Sequence, residues 1–71
     1  MKERYFEYIN NDLDRANPES FLNYVKENKL SLAEAIVDFT DVRNYLVLDK
    51  GMSAVAWDVN MLEKLKKVCG E

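Results

Sequence analysis

The apolar residues in the first forty positions recur three and four apart. In KERYFEYINNDLDRA, Tyr5, Phe6, Ile9, Leu13 and Ala16 share one helical stripe, which predicts a helix from about Lys2 to Asp14. Tyr8 falls beside the stripe, and Asn10, Asn11 and Asp12 are poor helix formers near its end. Asn17 suits an N-cap, Pro18 the first helical position, and Glu19 the positive end of the dipole. This second helix is expected to run to about Asn28, burying Phe21, Leu22 and Val25 with Tyr24 to one side. Ser31-Leu32-Ala33-Glu34 is a capping box that opens a third helix. The apolar face of that helix is read as Leu32, Ala33, Ile36, Val37 and Phe39, and the corner before it is Lys29-Leu30.

The period then changes. VRNYLVLDKGMSAVAWDV is rich in β-formers and broken at Asp49-Lys50-Gly51, where Gly51 suits a left-handed turn position. The pattern predicts antiparallel strands at about 43–48 and 52–57. A last helix is expected from Asp58 or Asn60, with Met61, Leu62, Leu65, Val68 and Cys69 on its stripe. Lys64, Lys66 and Lys67 favour its C-terminal end, and Gly70 can end it. The expected fold is α+β in the order α-α-α-β-β-α, one compact domain over residues 1–71.

Composition narrows the function. A core in a chain of 71 residues supplies only about 3–5 kcal/mol beyond its entropy cost. With one cysteine, Cys69, and no histidine, neither a disulfide framework nor a standard zinc site is expected, and no cofactor is implied. The lone thiol suits a reducing cytoplasm. MKERYFEYINNDLD carries charges where a signal peptide needs an apolar run. No apolar stretch approaches the roughly 20 residues that span a bilayer, so the expected location is cytoplasmic, without a membrane partner. Starting at Met1 with no tag, linker or repeat, the chain reads as a complete small frame.

The net charge is −3, from 10 basic and 13 acidic residues. Residues 1–41 hold 5 basic and 9 acidic side chains, and residues 42–71 hold 5 and 4. Three helices and a hairpin match the outline of a winged-helix transcription regulator, which is the alternative reading of function. Its recognition helix, SLAEAIVDFT, would offer Ser31, Glu34, Asp38 and Asp41, with none of the Arg, Lys, Asn or Gln that read purines. The corner lacks the usual glycine, and an acidic surface repels phosphates, so nucleic acid is not the expected partner. Without histidine, acid–base catalysis would rest on carboxylates. Asp12/Asp14 and Asp38/Asp41 are close in sequence but stand at helix ends, where Asp is common for local reasons. No catalytic residues are assigned, and an enzyme is not expected.

The predicted hairpin is more informative. One face would carry Arg43, Tyr45 and Val47 beside Val55 and Trp57, with Arg43 over the indole. The other would carry Leu46, Leu48 and Met52. A ribbon with one face in water normally alternates with polar residues, and this one does not. Four tyrosines and one tryptophan add residue types enriched at interfaces. The expected partner-binding residues are therefore Arg43, Tyr45, Val47, Val55 and Trp57, with Tyr5 and Tyr8 of the first helix as a second choice. The expected function is a non-catalytic interaction protein, a small bacterial or phage-encoded regulator or inhibitor that binds a larger protein. A homodimer through the hairpin edge and a small structural subunit of an assembly are the other outcomes considered.

Overall fold

Caps decide where the chain turns in the computed structural model, which describes residues 2–70. Helix α1 spans Lys2–Asn11 and ends earlier than predicted. Asp12 leaves the helix and accepts a hydrogen bond from the Asp14 N–H at 3.0 Å, starting a 3-10 turn at Leu13–Arg15. Helix α2 spans Pro18–Glu27, with Asn17 Oδ1 accepting from the Ser20 N–H at 2.9 Å. Its C-terminal end is a Schellman reversal. The Leu30 N–H donates to the Val25 carbonyl and the Lys29 N–H to the Lys26 carbonyl, both at 3.2 Å. Lys29 takes the left-handed conformation, φ 52°, and Leu30 folds into the core beneath it. Helix α3 spans Leu32–Asn44 and begins at the expected capping box: Glu34 N–H donates to Ser31 Oγ at 3.2 Å, and Ser31 N–H to Glu34 Oε1 at 3.1 Å.

No strand forms among the described residues, so the α+β assignment with its two-stranded hairpin is replaced by an all-helical fold. Residues 43 and 44 belong to α3, and Tyr45–Asp49 continue it as one π-helical turn. Val55–Asp58 form the short helix α4, and Met61–Val68 form α5. The cause lies in burial. Ala35, Phe39, Val42 and Leu46 extend a four-three-four spacing through the supposed strand, and Ala35, Val42 and Leu46 are 0 % exposed. A helix that buries all of these outweighs local β preference, which is itself context-dependent. Gly51 has the expected positive φ, 66°, but it ends a helix instead of turning a hairpin: the Met52 N–H reaches back to the Leu46 carbonyl at 3.0 Å. With the hairpin gone, the winged-helix outline loses its wing.

One core holds the helices together. Phe21 lies at its centre, with ring centroids 5.5 Å from Tyr5, 5.9 Å from Phe39 and 6.2 Å from Trp57. Trp57 enters from α4 and is 2 % exposed. Ile9, Val25 and Leu65 complete the interior from α1, α2 and α5. Helix α3 packs on α1 and α5, and α5 packs on α2. Asn60, one of the two expected starts of the last helix, immediately precedes α5 but makes no side-chain cap; it supplies the left-handed step, φ 53°, between α4 and α5.

Candidate interaction surfaces

Helix α3 is apolar on two sides. Its inner side, Ala35, Phe39 and Val42, serves the core. Ala33, Ile36 and Val37 also recur three and four apart but project to the opposite side, where Val37 is 58 % exposed. The one broad apolar face read from the sequence is therefore split between the core and the surface. Thr40 continues the outer stripe, and its hydroxyl donates back to the Ile36 carbonyl at 2.9 Å, so its polar atom is turned inward. Leu48 and Val55 are more exposed still, but they stand on two separate short elements, the π turn and α4.

The corner at Leu30 deepens the outer stripe. Leu30, Ala33 and Val37 floor a shallow hollow of about 320 Å³, flanked by Glu34 and Asp38. Those two carboxylates and Asp41 lie four and three residues apart, forming an acidic row beside the apolar one. Each is held in place. Glu34 caps α3, and the backbone bond from Ser31 keeps its carboxyl below the usual range. Asp38 Oδ2 accepts from the Tyr24 hydroxyl at 2.7 Å. Asp41 pairs with Lys2 of α1, which raises the ammonium's affinity for its proton. Three of the four carboxylates considered for catalysis have structural partners: Asp38 with Tyr24, Asp41 with Lys2, Asp12 with the 3-10 turn.

A second depression, about 480 Å³, lies between α1 and α2. Arg4, Tyr8, Asn23, Tyr24, Glu27 and Asn28 contribute to its wall, which is mostly polar. Part of that polarity is already spent internally. The Asn28 side chain donates to the Tyr24 carbonyl at 2.8 Å, and the Tyr5 hydroxyl and Ser20 Oγ share a 2.7 Å bond.

The seven residues singled out in the sequence do not form one face. Trp57 and Tyr5 are core residues, and burial pushes the Tyr5 phenol up to about 12. Tyr8 is exposed at the α1–α2 depression, with the Arg15 guanidinium 4.9 Å from its ring centroid. Tyr45 is half-buried; its ring meets Phe6 edge-on at 5.0 Å and its hydroxyl donates to Asn10 Oδ1 at 2.7 Å. Val47 is half-buried on the π turn, and Val55 is exposed on α4. Arg43 does not cover the indole. It forms a two-pronged bond with Asp58, at 2.8 and 3.0 Å, which tethers α4 to α3 and lowers the Asp58 carboxyl's pKa. The surface that sequence reasoning missed is the outer face of α3. Its signal was present: Leu32, Ala33, Ile36, Val37 and Phe39 span a wider arc than one packed helix face can bury.

Among the described residues, no helix is long and apolar enough to cross a membrane, and no group of three or more Asp, Glu or Cys is placed to hold a metal ion. No protein-family model matches the chain, and no curated protein or solved structure is detectably similar to it.

Proposed function

We propose that the protein is a non-catalytic cytoplasmic regulator or inhibitor that docks on a larger protein through the outer face of α3. The observation that carries this reading is the contiguous stripe of Ala33, Ile36 and Val37 on a helix whose other side already fills the core. Globular surface helices usually keep one apolar side. A second apolar side is matched to a second burial, which a partner supplies. The stripe gains most from such a partner in a chain whose own core is small. The acidic row beside it favours a protein over nucleic acid.

Affinity capture from the native host, quantified by mass spectrometry, tests this reading. Val37→Lys should reduce recovery of the captured partner by about tenfold, the effect of a lost central apolar contact. Val55→Lys, at a still more open position on α4, should leave recovery unchanged. Circular dichroism should show both variants helical. Equal recovery with all three proteins would refute the assignment of α3 as the binding face.

A further inference from the structure

We infer that the hollow beside α3 receives a basic amphipathic helix, with its apolar side chains against Leu30, Ala33 and Val37 and its lysines or arginines against Glu34 and Asp38. This inference rests on α3 being the binding face and adds the chemistry of what binds there. The shape comes from spacing. The stripe from Ala33 to Thr40 runs about 10 Å, two helical turns, so it matches a helix with apolar residues at i, i+3 or i+4, and i+7. The floor of the hollow is aliphatic and shallow, which suits Leu, Ile or Val rather than a deep aromatic anchor.

The charge comes from the acidic row. No lysine or arginine lines the hollow. Arg43, the basic residue of α3, is occupied by Asp58, and Lys2 is occupied by Asp41. Glu34 and Asp38 stand as two fixed carboxylates on the same flank, one set by the capping box and the other by Tyr24; Lys2, bonded to Asp41, also lies within electrostatic reach of Asp38, and Glu34 carries no such basic neighbour among the residues that line the hollow. An acidic helix docked there would place like charges together at a cost, so the pattern selects partners as well as attracting them. A second copy of this chain meeting face to face along α3 would oppose acidic rows and is disfavoured for the same reason.

The test uses defined probes against the whole chain. One peptide of about 15 residues, long enough to hold a helix on binding, carries leucines at the stated spacing with lysines beside them. Its counterpart replaces every lysine with glutamate. Fluorescence anisotropy should show the lysine peptide binding and the glutamate peptide not binding. The double variant Glu34→Gln, Asp38→Asn removes both charges while preserving the local bonds. Glutamine keeps the capping box, and the asparagine oxygen still accepts from Tyr24. That variant should bind the lysine peptide about fivefold more weakly, as expected for two exposed charge pairs. Val37→Ser should weaken it about tenfold, and Glu63→Gln on α5 should change nothing. Failure to bind, equal binding of both peptides, or binding indifferent to the double variant each overturns the inference. Self-association by light scattering, abolished by Val37→Ser and with no peptide binding, overturns it too and assigns the face to a second copy. A host partner whose capture depends on Val37, found alongside peptides that do not discriminate, would leave the binding face standing and reject only the basic helix.

Discussion

The Tyr24 hydroxyl donates to Asp38 Oδ2 at 2.7 Å, tying α2 to α3 across the corner at Leu30. Tyr24 faces two directions. Its ring packs on Tyr5 and Phe21, with centroids 5.5 and 5.6 Å away. Its hydroxyl orients a carboxylate on the flank of the hollow. The core and the proposed docking surface thus share one side chain.

Tyr24→Phe should therefore cost about 1–2 kcal/mol, the loss of a bond to a half-buried charged acceptor. Urea unfolding checks this. The same variant should weaken the lysine peptide modestly, because Asp38 loses its orientation. A variant as stable as the parent would mean the bond is replaced by water without loss.

The capped N-terminal half was legible from residue types at fixed offsets. Asn17-Pro18 and Ser31–Glu34 start helices through local bonds that need no tertiary context, and both starts stand in the structure. Residues 43–57 were not legible in the same way. Tyr45, Val47 and Val55 prefer strands in isolation, and only the core shows that Val42 and Leu46 continue the stripe of Ala35 and Phe39. Gly51 was rightly read as left-handed, yet a positive φ serves a helix end as well as a hairpin. The partner-binding residues followed the hairpin, so Trp57 was placed outside when it belongs inside. The exposed half of α3 escaped notice because its apolar positions looked like ordinary core.

Lys29→Gly should stabilise the protein by about 0.5–1 kcal/mol. Lys29 holds φ 52° at the Schellman position, where a residue with a Cβ is strained and glycine is not. Both backbone bonds of the reversal, from the Lys29 and Leu30 N–H groups, survive the change. The denaturation midpoint should rise. A fall would indicate that the lysine stem packs on Leu30 more than its backbone strain costs.

Trp57→Ala should unfold much of the population at ordinary temperature. Deleting so large a buried side chain costs about 3–5 kcal/mol, comparable to the whole stability of a domain this size. Far-ultraviolet circular dichroism would lose its helical signal. A stable, helical Trp57→Ala protein would place the indole on the surface.

Alkaline stability should fall because burial raises the Tyr5 phenol to about 12 and pushes Tyr24 up as well. A phenol whose folded pKa is raised supports the fold fully below its ordinary value near 10, and that support is lost as the pH rises through the folded value. Tyrosinate absorbance should rise late for these two rings, together with loss of helix. In acid the sign reverses. Capping lowers Glu34 and Arg43 lowers Asp58, so their support is present above the ordinary carboxylate range near pH 4 and lost as the pH falls through the depressed values. Glu34→Gln should flatten that acid slope. Unchanged slopes would contradict these assignments.

Binding through the outer face of α3 can be followed residue by residue in the backbone amide resonances of the isotope-labelled protein as the captured host partner is added. The largest shifts should fall at Leu30, Ala33, Val37 and their neighbours on α3, and Val37→Lys should require about tenfold more partner to produce them. Shifts centred instead on Tyr8, Asn23 and Glu27 would place the partner in the α1–α2 depression and rule out α3 as the binding face.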